Sequence, residues 1–142
     1  MDNPDVSGPF SHDLMVTVLA DLYPALKPSV DYVTAHPLDE RGKHAGDPFI
    51  IYWRPTDPPQ PKDADIKAKF QADEARYRGV WVRRYRDMCL AWSDSKVIAP
   101  PDAPPTLTRA LDGWKAYRQA LRDVPQQPGF PFEIDWPQAP EG

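Results

Sequence analysis

A chain of 142 residues, 41% of them hydrophobic, is long enough to close a core without disulfide staples. Its single cysteine, Cys89, cannot pair within the chain, and no apolar run has membrane length or the look of a secretory leader, so a reducing cytosol is expected. The formal net charge of -4 argues against nucleic acid as a partner.

The nineteen prolines cluster between periodic segments and read as loop stiffeners, not as a disordered tract. Residues 1–10, with Asn3-Pro4 and Gly8-Pro9, carry no periodicity and are expected to be mobile. Met15, Val18, Leu19 and Leu22 then recur at helical spacing up to Pro24, which predicts a helix over 12–22 capped by Ser11. Two runs rich in β-branched and aromatic residues follow, 30–35 and 49–53, around a polar Gly-bearing stretch. They predict a β-hairpin with a long loop, one face covered by the first helix because a lone hairpin is marginal in water.

After the Pro-rich bridge 54–61, a helical pattern opens at Asp63. Ile66, Phe70, Tyr77, Trp81, Tyr85, Met88 and Trp92 form one continuous apolar stripe, with Gly79 inside it as a point of bending or close packing. The opposite face is charged and reads as solvated surface. The stretch 93–105 carries Pro100, Pro101, Pro104 and Pro105 and has to turn the chain. Leu107, Leu111, Trp114, Tyr117 and Leu121 mark a second helix over 107–124, with Thr106 as N-cap and Pro125 as its end. Trp81, Met88 and Trp92 are expected to meet its apolar face in a helical hairpin. Beyond it, Phe130, Phe132, Ile134 and Trp136 alternate with Pro131, Glu133 and Asp135, a period-two pattern that predicts an extended, Pro-punctuated tail.

No constellation carries enzyme chemistry. Cys89 lies on or near the apolar stripe with no histidine nearby in sequence, and reads as a small core residue. His12, His36 and His44 can come together with Asp31, Asp39 or Asp47 if the hairpin loop closes on the first helix, but they lack metal-ligand spacing. Pairs such as Asp94 with Asp102, or Glu133 with Asp135, read as exposed turn acids, and no phosphate loop, dinucleotide fingerprint or serine elbow is present. No catalytic residue, metal ligand or cofactor is therefore assigned.

Two stretches carry a family likeness. Trp114, Tyr117, Arg118, Leu121, Arg122, Asp123 and Pro125, then Gly129-Phe130-Pro131 and the closing Trp136, Pro137 and Pro140, resemble the C-terminal signature of the phage tail assembly chaperone family over roughly residues 80–140. Ala91-Trp92 stands where that family often carries Asp-Trp. Leu22-Tyr23-Pro24, Val30-Asp31-Tyr32-Val33, the run Pro48 to Trp53 and Pro59-Gln60-Pro61 resemble the small module of XkdW-type phage tail proteins. The expected layout is an α+β fold: an XkdW-like module over 1–61, in which a helix packs on a β-hairpin, then a helical module over 62–142 ending in the extended tail.

The resemblance implies a non-enzymatic, cytoplasmic phage or prophage assembly chaperone. Its partner is a tail or tail-fibre protein, without nucleic acid or membrane. A small structural component of the tail or baseplate is the alternative from another class, and a hydrolase using Cys89 or the histidines a third. Aromatic and arginine side chains together have the composition of binding hot spots, which makes Trp114, Tyr117, Arg118, Arg122, Phe130, Phe132 and Trp136 the candidate partner-binding residues.

Overall fold

The computed structural model describes residues 3–141 and shows an α+β fold: a helix, a two-stranded hairpin, then a long helical arm broken into two helices and a further helix. The described residues form two compact units. One takes Ser7–Trp81; the other takes the residues before Ser7 together with those from Val82 onward.

In the first unit, helix α1 (His12–Leu22) begins where expected. Ser11 is extended (φ -111°, ψ 169°), and its hydroxyl accepts the Leu14 N–H at 3.3 Å. Leu14, Met15, Val18 and Leu19 share the buried face. Beneath them lie strands β1 (Tyr32–Ala35) and β2 (Phe49–Trp53), antiparallel, with Tyr32 opposite Trp53 and Ala35 opposite Phe49. The register slips between Val33 and Thr34, since Val33 pairs with Tyr52 and Thr34 with Ile50; Ile51 is the extra residue of a bulge. The slip leaves Phe49, Ile51 and Tyr52 exposed, with Tyr32 and Ile50 in the core. The Ile50 N–H is taken by the Asp63 carboxylate at 3.0 Å, so this edge of the hairpin is closed to an added strand at that point.

The 36–48 loop is held by its own bonds. Asp39 N–H donates to Lys43 O, Ala45 N–H donates to Pro37 O, and the turn between them passes through Gly42 at φ +76°, a conformation glycine adopts without steric cost.

The helical pattern that starts at Asp63 is interrupted, where the sequence reads it as continuous. Helix α2 (Asp63–Ala72) ends at Asp73 (φ -145°, ψ 47°), whose N–H donates to Phe70 O, and helix α3 (Glu74–Ser93) starts immediately after. The break falls at Asp73 and not at Gly79, which is buried within α3. It lets Ile66 and Phe70 of α2 and Tyr77 of α3 enter the same core as α1 and the hairpin, with Trp81 packed against it. The start of α3 is tied to the end of α1. Arg76 grips both oxygens of Asp21 at 2.7 and 3.2 Å, and Tyr77 donates its hydroxyl to the same carboxylate at 2.7 Å. The Arg76 hydrogen bonds, followed by that of Tyr77, hold the Asp21 carboxyl below its usual range.

Residues 3–10 are not the loose lead expected from their lack of periodicity. Phe10 is buried and stacks on Phe70 with ring centroids 4.7 Å apart, the Gly8 carbonyl accepts Arg78 Nη2 at 2.8 Å, and Val6 is buried too. Aromatic burial outweighs the missing pattern. Residues 1 and 2 of that stretch lie outside the described residues.

In the second unit, a 3-10 turn (Asp94–Val97) follows α3, and helix α4 (Pro105–Asp123) starts at Pro105, not behind a Thr106 cap. Proline suits the first helical position because its missing N–H would have no partner there. Helix α4 ends as expected before Pro125, giving way to a short 3-10 turn (Val124–Gln126).

The tail departs from the extended reading. Residues 128–132 form turns and no strand runs over 127–141. Gly129 O accepts the N–H groups of both Phe132 and Glu133, and the Gln127 side chain pairs with Asp135 in both directions, accepting its N–H at 2.9 Å and donating to its carbonyl at 2.8 Å. A period-two pattern persists in the sequence, but local bonds and a proline without a donor win over strand geometry. The turn needs a glycine at position 129, since a Cβ there meets Glu133 O at 2.6 Å. Gly129→Ala is therefore expected to lower stability by roughly 2 kcal/mol, read from the urea midpoint. An unchanged midpoint would show that the turn opens freely.

Candidate partner-binding surface

The core of the second unit is built by α3 and α4. Cys89 of α3 packs with Trp114, Tyr117 and Leu121 of α4, flanked by Tyr85, Leu90 and Val97. The face α3 presents here is turned about one residue from the stripe of its largest side chains: Val82, Cys89 and Ser93 are buried, whereas Met88 is exposed and Trp92 is 46% exposed. Size explains the rotation. Small groups at 89 and 93 leave room for the big side chains of α4, which Met88 and Trp92 in the same places would not. Trp92 still touches Trp114 edge-on at 5.6 Å, and Trp114 meets Tyr117 likewise at 5.9 Å. Burial, then the neighbouring Cys89, pushes the Tyr117 hydroxyl up to about 12, so it stays protonated at neutral pH.

The candidate residues read from the sequence divide sharply. Trp114, Tyr117 and Trp136 are buried, Trp136 meeting Tyr85 edge-on at 4.9 Å. Arg118 is turned inward: Nη1 donates to Leu90 O at 2.6 Å and to Ser93 Oγ at 2.7 Å, and Nη2 lies 2.7 Å from Asp94 Oδ1. Phe130 is half-buried beneath the Arg83 guanidinium, 4.8 Å from its ring centroid. Phe132 and Arg122 alone of the seven are exposed. Leu107, read as part of the α4 stripe, is exposed as well.

Met88 and Trp92, which sequence reasoning placed inside, also lie outside. They stand four apart on α3, so their side chains are neighbours on its outer surface. Beside Trp92 a cavity of about 180 Å³ is lined by Tyr85, Cys89, Trp92, Tyr117 and the tail residues Pro137 and Gln138. The signal for this was the pair of small residues, Cys89 and Ser93, lying on α3 at the same spacing as the large ones. Among the described residues that line the cavity there is no histidine, aspartate or glutamate, and Cys89 is buried. Among the described residues no group of three or more His, Cys, Asp or Glu is arranged to hold a metal ion, and no helix is long and apolar enough to cross a membrane.

Comparison with known proteins gives two matches, one to each half of the chain. Residues 79–141 match the family described as phage tail assembly chaperone protein, and residues 15–78 match the family described as XkdW protein. Searches of curated proteins and of solved structures found no match. The chain thus joins an XkdW-like segment to a segment matching the phage tail assembly chaperone family, and the two together support a phage-tail-related role.

Proposed function

We propose that the protein is a phage or prophage tail assembly chaperone, not an enzyme. It binds a tail or tail-fibre polypeptide in the host cytoplasm and shields its apolar, β-rich surface until assembly. Such clients pass through slow non-local folding, during which unpaired strands and apolar surface are open to aggregation. One observation carries the reading. Within the segment matching the chaperone family, α3 turns a tryptophan and a methionine outward, one helical turn apart, beside an aromatic cavity. An adaptable methionine next to a rigid aromatic anchor suits the capture of an unfolded or partly folded chain. Phe132 and Arg122 extend the candidate surface, and the buried Trp114, Tyr117 and Trp136, with the inward-turned Arg118, support it from beneath.

The test is coexpression with a tail-fibre polypeptide, scored for soluble client and for its copurification. Wild type is expected to recover client. The double change Met88→Ser with Trp92→Ser is expected to lose most of that recovery while circular dichroism stays native and melting falls only by the loss of the Trp92 edge contact with Trp114. Full recovery by the folded double variant would remove this surface from the binding site.

A further inference from the structure

All three histidines of the chain meet in the Ser7–Trp81 unit, although they are far apart in sequence. His12 is the first residue of α1, His36 follows β1 directly, and His44 sits in the returning arm of the hairpin loop. The His36 ring lies against both others, 4.6 Å from His12 and 3.6 Å from His44 between centroids, with interplanar angles of 24° in each case. His12 Nδ1 and His36 Nδ1 face each other at 2.6 Å.

This arrangement has a definite proton content. Two ring nitrogens at hydrogen-bond distance share one proton, one donating and the other accepting; a proton on each would set two N–H groups head to head. His36 and His44, stacked face to face, cannot both become imidazolium without bringing like charges into contact. His12 also stands at the N-terminus of α1, where the helix dipole opposes a cation. Asp13 is the acid at the cluster, 3.4 Å from His12 Nε2. Of the other charged groups of the loop, Glu40 and Arg41 sit in its turn and Lys43 directly precedes His44, a cation that adds to the cost of protonating the cluster. Asp39 accepts the Arg41 and Lys43 amides, and Asp47, three residues beyond His44, pairs with Lys67 of α2 at 2.6 Å.

We propose that His12, His36 and His44 form a proton-sensitive clasp that fastens the 36–48 loop to the start of α1 when neutral and releases it when protonated. Between Pro37 and Pro48 the loop has no apolar anchor that could replace the clasp: Leu38 is exposed, as are residues 39–47. Burial, then His44 and His12, lower His36 from its ordinary value of 6.5, and Asp13 opposes them with a smaller effect. The sign follows. A histidine with a lowered folded-state value contributes its full stability above 6.5, and that contribution is lost as the pH falls through the lowered value.

The test is a titration of the full chain from pH 8 to 5, following the three imidazole rings and the amides of residues 36–48 by NMR. His36 is expected to titrate below 6.5, with the loop amides shifting at the same midpoint and their protection from exchange falling severalfold. In the His44→Gln variant the His36 midpoint is expected to rise toward the ordinary value. A His36 ring that titrates at its ordinary value, or loop amides that ignore the transition, would overturn the clasp. The wild-type titration is decisive by itself, even where the variant fails to fold.

Discussion

Replacing Trp136 with Ala is expected to cost the second unit about 3–5 kcal/mol, the largest loss of any single substitution in the tail. The indole is 8% exposed and meets Tyr85 edge-on at 4.9 Å, so its removal leaves a void beside α3. The same side chain carries an opposing feature: its Nε1 is buried with no hydrogen-bond acceptor among the described residues. A buried donor without a partner forfeits its hydration, and taking it away recovers part of that loss. Trp136→Phe keeps most of the ring contact and removes the orphaned N–H, so it is expected to change stability by no more than about 1 kcal/mol. Urea unfolding of the two variants beside wild type checks both values. A native midpoint for the alanine variant would mean that the tail adds nothing to the core, whereas equal losses for both would mean that the indole N–H has found a partner.

The second large effect is expected at Arg118, and it separates two arginines that look alike in sequence. Leu90 lies in the last turn of α3, where its carbonyl accepts the Ser93 hydroxyl at 3.0 Å and has a second lone pair to offer. Arg118 adds a charged donor from α4: one guanidinium nitrogen donates to both Leu90 O and Ser93 Oγ, and the charge sits at the negative end of the α3 dipole. Arg118→Ala removes two charge-assisted bonds from a side chain only 13% exposed, for an expected loss of about 3 kcal/mol. Most of it comes from the buried bonds and little from the ion pair, because Asp94 is 66% exposed and its pairing is screened. Arg118→Lys is expected to recover less than half, since an ammonium cannot reproduce the planar fork. Arg122→Ala, on the exposed side, is expected to stay within about 0.5 kcal/mol. Melting curves decide the comparison, and equal effects at the two positions would refute a structural role for the tie between Arg118 and the end of α3. The outcome also governs binding experiments: a loss of client by an Arg118 variant reports on the fold, whereas Arg122, Phe132 and Met88 are surface groups and Trp92 is one on its outer edge.

Sequence by itself determined the elements whose signals are local. Ser11 before an apolar periodic run set the start of α1, Pro125 set the end of α4, and two β-branched and aromatic runs around a polar loop set the hairpin. These depend on backbone donors, dihedral limits and nearest neighbours, which the residues themselves carry. The family likeness was legible for the same reason, in short runs such as Gly129-Phe130-Pro131. Tertiary structure decided which of several apolar positions faced inward. The stripe from Ile66 to Trp92 satisfies helical periodicity throughout, and nothing local in it announces a break at Asp73 or a face at Cys89 and Ser93. The break arises because Ile66, Phe70 and Tyr77 have to reach one core, and the chosen face because Trp114, Tyr117 and Arg118 need space on α3. Burial is a property of two surfaces meeting, and a single strand of sequence shows only one of them. The histidine cluster has the same origin: its members lie on a helix, at the end of a strand and in a loop, and only the folding of the hairpin onto α1 brings their rings into contact.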